Sequence, residues 1–243
     1  MKHNISRHCL WLPVVLSWGL ALAQTPATPE ATSPPDNPPA RPRARVLVAY
    51  YSRTGNTEQM ARGVVEGIQR VPGVAALLKR VSEVSKADLE GADGIILGCP
   101  TYFANIPGEV KTVLDDWNWK MKVDFTDKIG GAFATAGGQV GGQEHVVVSL
   151  LLFMLHNRMV VAGPLYRNEK TGSIWAEAGA AAITGPLDPG VGQGELDGAR
   201  RLGERVARLA AKLKGPALPP DKRTRPAGEP TDAAASAGRT SRP

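Results

Sequence analysis

A hydroxyl-rich stretch near the start of the chain has the residue types of a phosphate-binding loop. It directly follows the apolar run from Val46 to Ala49. Hydroxyl groups can donate to phosphate oxygens, a glycine lets the backbone come close, and the N–H groups at the start of a helix attract an anion. We therefore expect a phosphate site where a strand ends and a helix begins. The residues concerned are Ser52, Thr54, Gly55 and Thr57.

The loop lacks the patterns of two common nucleotide sites. The chain has no G-x-x-x-x-G-K-[ST] sequence, and no G-x-G-x-x-G sequence follows a predicted strand. ATP hydrolysis and ordinary dinucleotide binding are therefore disfavoured. The sequence also offers no nucleophile-base pair and no His/Cys cluster with the spacing of metal ligands. These absences are consistent with chemistry carried by a bound cofactor.

Two further loops contain unusual residues. The first, from Pro100 to Gly108, places prolines and aromatic residues around polar groups, which suits the wall of a pocket for a planar ring. The second, from Thr135 to Glu144, is rich in glycine, so its backbone N–H groups are accessible to a heterocycle. Each loop alone is weak evidence, because such turns are common. Together they indicate one site, because ligands of open parallel sheets bind beyond the carboxyl ends of the strands.

The elements that carry these loops alternate between apolar strands and helices. The strands are apolar almost throughout, as in a parallel sheet covered on both faces. We predict an α/β fold, a flavodoxin-like doubly wound sheet of five parallel strands in the order 2-1-3-4-5. The predicted strands are Val46 to Tyr51, Val74 to Lys79, Gly94 to Gly98, Ile129 to Thr135 and Met159 to Val161. The predicted helices are Thr57 to Gln69, Pro107 to Trp117, Gln143 to His156 and Glu195 to Leu213.

The first loop resembles the phosphate loop of flavodoxins, although Ala49 stands where a larger apolar residue is usual. The matching positions are Tyr50, Ser52, Gly55, Thr57 and Ala61. Later blocks are similar, in order and spacing, to the WrbA-type NAD(P)H:quinone oxidoreductases. These blocks are Pro100 to Gly108 with the helix that follows, Gly141 to His145, and the strand end from Met159. The resemblance implies an enzyme that binds FMN without covalent attachment and reduces quinones by two electrons, through hydride transfer from NAD(P)H.

The same resemblance assigns residues to the site. It places the FMN phosphate at Ser52, Arg53, Thr54, Gly55, Asn56 and Thr57, and the flavin ring at Pro100, Thr101, Tyr102, Phe103, Thr135, Ala136, Gly137, Gly138, Gly141 and Gly142. A pair of His residues in the family corresponds to His156-Asn157, so we expect one of these two to face the flavin. Capping of a helix is the alternative role of His156. The substrate-binding residues implied are Tyr102, Trp117 and Trp119.

A flavodoxin-type electron carrier is the alternative function. Such carriers are usually strongly acidic, whereas Lys+Arg and Asp+Glu nearly balance over residues 46–214, which favours the oxidoreductase. The balance also disfavours nucleic-acid binding by the domain, because the net charge of +6 comes from the two ends of the chain. The expected partners are a quinone-like molecule and further copies of the chain, as a dimer or tetramer. The short connection from Val81 to Asp93 lacks the family's long insertion, which weakens the case for a tetramer.

Both ends of the chain differ in composition from the domain at residues 45–214. Residues 1–23 have a positively charged start, an apolar run and Ala21-Leu22-Ala23, which predicts a cleaved secretory signal peptide. The protein is then exported, to the periplasm; an uncleaved membrane anchor is the alternative. The Pro-rich linker at 24–44 and the tail at 215–243 are predicted to be disordered. Cys99 remains as the single cysteine, and its apolar setting predicts a buried thiol.

Overall fold

A computed structural model describes residues 42–164, 178–185 and 190–215. The predicted signal peptide, most of the Pro-rich linker and nearly all of the carboxy-terminal tail lie outside these residues. The strands are β1 (Ala44–Tyr50), β2 (Val74–Arg80), β3 (Gly94–Pro100), β4 (Ile129–Ala136), β5 (Val160–Val161) and β6 (Ala180–Ile183). The helices are α1 (Asn56–Gln69), α2 (Lys86–Gly91), α3 (Gly108–Trp119), α4 (Gln143–His156) and α5 (Gln193–Leu213), and a 3₁₀ turn spans Val81–Glu83.

The sheet has the predicted order 2-1-3-4-5, and every strand pair in it is parallel. Its fifth position is divided between two short strands. β5 pairs with Ile129 and Gly130 at the start of β4, and β6 pairs with Phe133 to Ala136 at its end. The sequence prediction missed β6, because three of its four residues are alanine, a residue depleted in strands. Only its place beside β4 makes it a strand.

Two apolar layers cover the sheet, as the continuously apolar strands predicted. One face packs against α1 and α5, and the other against α2, α3 and α4. β4 is buried along its whole length, and β3 is buried except at its last residue, the half-buried Pro100. The helices α1 and α5 touch through backbone. A Cβ at Gly67 would lie 1.9 Å from the Arg200 carbonyl oxygen, and one at Gly203 would lie 2.0 Å from that of Val64.

The connection between β2 and β3 contains the short helix α2, which the sequence prediction also missed. Ser85 begins it with a capping box, in which Asp88 N–H donates to the Ser85 hydroxyl and Ser85 N–H donates to the Asp88 carboxylate. The Ser-x-x-Asp spacing was the available signal. None of the helices in the described ranges is long and apolar enough to cross a membrane.

Candidate functional site

The loops after β1, β3 and β4 meet at the carboxyl edge of the sheet. The N–H of Tyr51 donates to the carbonyl of Gly98 (2.9 Å), and the N–H of Thr101 donates to that of Thr135 (2.7 Å). The hydroxyls of Thr57 and Thr135 share a buried hydrogen bond of 2.8 Å. These contacts tie the three loops together, so the predicted meeting of the loops is confirmed.

The loop after β1 has the geometry of an anion cradle. Gly55 has φ of 101°, a left-handed conformation that favours glycine, and it caps α1 without a side-chain hydrogen bond. Its own N–H donates to the Ser52 hydroxyl at 3.1 Å, which curls the loop over the start of the helix. The side chains of Arg53 and Thr54 are exposed, whereas Ser52 and Thr57 are buried. The positive end of α1 therefore faces an open loop.

The Thr57–Thr135 pair leaves one hydroxyl proton for a ligand. Each hydroxyl carries one donor hydrogen, and their shared bond uses only one of the two. Both side chains are at most 3% exposed, so an unused donor there would be costly without a partner. An anion bound above the loop can accept it.

The loop after β3 is a tight backbone turn. Tyr102 and Asn105 exchange two backbone hydrogen bonds of 3.0 Å each. The two residues between them, Phe103 and Ala104, have φ of 50° and 60°, as in a type I′ turn. Neither is a glycine, so this turn holds local strain of the kind found at binding sites. The Phe103 side chain is fully exposed at the tip.

The glycine-rich loop after β4 contacts this turn on one side and is open on the other. A Cβ at Gly142 would lie 2.7 Å from both Cα and Cβ of Ala104, so the two loops touch closely. A Cβ at Gly137 or Gly138 would meet no described atom within 4 Å. The backbone at these two glycines is therefore accessible, as a bound heterocycle requires.

Two buried polar atoms in these loops have no hydrogen-bond partner among the described residues. They are the Thr101 hydroxyl oxygen and the side-chain carbonyl oxygen of Gln143; the third such atom, the indole nitrogen of Trp117, lies in the core. Buried polar groups without partners are rare and call for a ligand or water. Thr101 follows β3 and Gln143 begins α4, so both unpartnered oxygens belong to the edge where the loops meet, and the residues of this edge fit the polar rim of a flavin. Gln143 was not among the predicted site residues.

An unpredicted cluster joins the first two loops. The Tyr51 hydroxyl donates to Glu109 of α3 at 2.9 Å, and its ring packs edge-to-face on Tyr102 with centroids 6.3 Å apart. Burial and the hydrogen bond to Glu109 raise the pKa of Tyr51 to about 12. The Glu109 backbone N–H and the Tyr51 hydroxyl lower the pKa of the Glu109 carboxyl. Tyr51 is therefore a protonated donor and Glu109 a carboxylate at neutral pH, and together they fix Tyr102.

Three predicted residues lie away from the loops. Trp117 is fully buried against Phe125 in the core and cannot line a substrate pocket, which corrects its assignment. His156 ends α4, about 20 Å along the helix from Gln143 at 1.5 Å per residue, so within one chain it does not reach the ring site. Trp119 is exposed at the corresponding end of α3. Trp119, His156 and Asn157 border one groove between α3 and α4, where the Asn157 amide donates to the Phe153 carbonyl.

Cys99 is fully buried in β3, as the sequence predicted. Burial raises the pKa of its thiol to about 12, so it is not a nucleophile at neutral pH. Among the described residues there is no group of three or more His, Cys, Asp or Glu that could hold a metal ion.

Comparisons with known proteins identify relatives of this chain. The family described as NADPH-dependent FMN reductase matches residues 78–171. NAD(P)H dehydrogenase (quinone) of Geobacter sulfurreducens is 35% identical over 210 residues, covering 70% of this chain and 99% of that protein. The protein of the same description from Gluconacetobacter diazotrophicus is 37% identical over 199 residues, covering 70% and 98%.

Solved structures agree on the fold. A WrbA-like flavodoxin from Agrobacterium tumefaciens superimposes with a TM-score of 0.56 at 25% identity, covering 70% of this chain and 98% of that one. An archaeal flavodoxin, at 21% identity and a TM-score of 0.54 over 68% of this chain and 98% of that one, shares the fold. The sequence relatives, matched over nearly their whole length, decide the family. The chain belongs to the NAD(P)H dehydrogenase (quinone) family of flavodoxin-like FMN proteins.

Proposed function

We propose that this protein is an FMN-dependent oxidoreductase that takes two electrons from NADH or NADPH and passes them to a quinone. The observation that carries the proposal is the meeting of three loops around an open edge with two unpartnered buried oxygens, on Thr101 and Gln143. The relatives named as NAD(P)H dehydrogenases (quinone) support the donor and the acceptor. When bound, FMN supplies the hydride chemistry, and the protein supplies binding and orientation.

Different groups at this edge would bind the phosphate, the flavin ring and the substrate. The hydroxyls of the first loop, the cation of Arg53 and the start of α1 hold the phosphate. The accessible backbone at Gly137 and Gly138 would donate its N–H groups to the polar edge of the ring. Tyr102, held by the ring of Tyr51, would border the substrate side.

The FMN site is tested by replacing Thr54 with Val, which removes an exposed loop hydroxyl and nearly keeps its volume. A hydrogen bond to a charged group is worth about 1.5 to 3 kcal/mol, so the dissociation constant for FMN should rise about ten- to a hundredfold. Quenching of FMN fluorescence measures it. Thr112→Val is the matched control, because the hydroxyl of Thr112 donates to the Gly108 carbonyl on the surface of α3. Equal FMN affinity in wild type and Thr54→Val would place the phosphate elsewhere.

We also propose that the protein is exported after cleavage behind Ala23. The charged start, the apolar run and the Ala21-Leu22-Ala23 site support this location. NAD(P)H is a cytoplasmic donor, so an exported enzyme would use it only as purified protein and would take its electrons in the cell from another reductant. Mass spectrometry of the protein from its native compartment tests the proposal. A chain that begins at Gln24 outside the cytoplasm supports export, and an intact Met1 on a cytoplasmic protein contradicts it.

Finally, we propose that the chain forms a homo-oligomer through α4. Val148, Leu152 and Leu155 form an exposed apolar stripe on this helix, whose opposite side is buried against the sheet. The stripe adjoins the groove that holds Trp119 and His156. A second copy seated there would cover the apolar surface and the groove together. Trp119 and His156, which lie far from the loops of their own chain, would then be available to the loops of the other copy.

A further inference from the structure

We propose that Arg80 positions the phosphate loop and thereby sets the preference of the protein for FMN over riboflavin. The inference rests on the FMN site proposed above and concerns a residue outside the loop itself. Arg80 ends β2, directly beside Tyr50 at the end of β1 in the parallel register. It was not among the predicted site residues.

The Arg80 guanidinium joins the two ends of the loop. One of its nitrogens, Nη1, donates to the Ser52 carbonyl oxygen at 3.0 Å, and the other, Nη2, donates to Glu58 Oε2 in the first turn of α1 at 3.0 Å. A guanidinium is a rigid planar fork, so these two bonds fix the distance between the loop's first residues and its helix. The group also lies over the Tyr50 ring, 5.3 Å from the centroid, which restrains it from a third side.

The bond to the Ser52 carbonyl has a consequence for the next amide. In a trans peptide the C=O and the following N–H point in opposite directions within one plane. Because the Ser52 carbonyl points toward Arg80, the N–H of Arg53 points away from it, toward the other side of the loop. Arg80 therefore sets the direction of a backbone donor in the segment that receives the phosphate.

Arg80 also compensates the charge of Glu58, the acidic residue in the first turn of α1. Glu58 accepts from Arg62 at 2.7 Å as well as from Arg80, and the hydrogen bond from Arg62 is the main reason that the pKa of Glu58 is lowered. Both arginines thus reduce the repulsion between this carboxylate and a bound phosphate. Only Arg80, however, touches the loop. Removing each arginine separately distinguishes the loss of a charge from the loss of loop geometry.

The test compares two ligands on apo-protein. Riboflavin has the same ring as FMN but no phosphate, so a change in the phosphate loop should affect FMN alone. For Arg80→Gln we expect the FMN dissociation constant to rise about tenfold, the effect of about one hydrogen bond to a charged group. Riboflavin affinity should stay within about twofold of wild type. Arg62→Gln, the matched charge control, removes the same formal charge from a side chain that is 64% exposed, where water screens it, so both affinities should stay within about twofold.

Arg80→Lys is the second variant, because it keeps the charge but cannot reproduce the planar two-point fork. We expect it to lose about fivefold in FMN affinity with riboflavin unchanged, and it decides the case if Arg80→Gln does not fold in a thermal melt. Unchanged FMN affinity in the folded Arg80 variants, or equal losses for FMN and riboflavin, overturns the inference while leaving the FMN site in place. A wild-type protein that binds neither ligand overturns the proposed function and this inference with it.

Discussion

At the scale of single residues, the hydroxyl pair of Thr57 and Thr135 joins the loop after β1 to the sheet. Their 2.8 Å bond crosses from the start of α1 to the end of β4, and both side chains are buried. Thr57→Val keeps the shape but leaves the Thr135 hydroxyl without this partner. An unsatisfied buried hydroxyl costs about 1 to 3 kcal/mol, so we expect the free energy of unfolding of the apo-protein to fall by that amount. Urea denaturation followed by circular dichroism measures it.

The double variant Thr57→Val with Thr135→Val is the control for this prediction. Replacing both partners removes the unsatisfied group, so the double variant should be more stable than either single variant. Strictly additive losses in the double-mutant cycle would mean that the two hydroxyls do not depend on each other.

The residue types in the loops were predictable from the sequence, whereas their hydrogen-bond partners far along the same chain were not. The hydroxyls and glycines stand together in the sequence, and their chemistry is legible there. The bonds from Tyr51 to Glu109 and from Arg80 to Ser52 join residues far apart in sequence, and they depend on the register of β1 against β2 and on side-chain rotamers. The separation of His156 from the loops follows in the same way from the direction of α4, whereas the resemblance predicted that either His156 or Asn157 faces the flavin.

At the scale of elements, the contact between α1 and α5 depends on glycines that allow backbone to touch backbone. The Cβ of Gly203→Ala would lie 2.0 Å from the Val64 carbonyl oxygen, and the backbone cannot move aside as a flexible side chain can. Overpacking of a core typically costs about 1 to 3 kcal/mol, so we expect at least that loss in the free energy of unfolding. Denaturant titration of the apo-protein checks it.

Gly198→Ala is the matched control on the same helix. A Cβ there meets no described atom within 4 Å, so the variant keeps the packing and gains helix propensity. It should be as stable as wild type or more stable by up to about 1 kcal/mol. If both variants lose stability alike, the cost lies in α5 itself and not in its approach to α1.

Elements were predictable where local pattern and tertiary role agree. The bounds predicted for α4 match those of the structure, and the bounds predicted for β1 to β4 differ from the observed ones by one to three residues per strand. The reason is that β1, β3 and β4 are buried and almost continuously apolar, and β2 begins with an apolar run from Val74 to Leu78. β6 was not predicted because it is a strand only through its pairing with β4, and its alanines do not favour a strand. The helix α2 was not predicted because it is only six residues long and has little apolar periodicity.

At the scale of the whole molecule, the exposed side of α4 predicts self-association. Leu152 lies in the middle of the apolar stripe and is 58% exposed in the single chain. Leu213, at the end of α5 on the other face of the sheet, is equally exposed at 59%. If a second copy covers α4, a charge at Leu152 would be buried without a partner, which costs several kcal/mol, whereas a charge at Leu213 stays in water.

We therefore expect wild type and Leu213→Lys to elute at two or four times the mass of one chain, and Leu152→Lys to shift toward the mass of a single chain. Size-exclusion chromatography with light scattering at several protein concentrations measures these masses. Circular dichroism shows whether Leu152→Lys keeps the fold, which it should, because the Leu152 side chain lies outside the core. FMN affinity gives a second reading, since it should fall with dissociation only if the neighbouring copy completes the site. A wild type that runs as a single chain at every concentration would rule out the α4 interface.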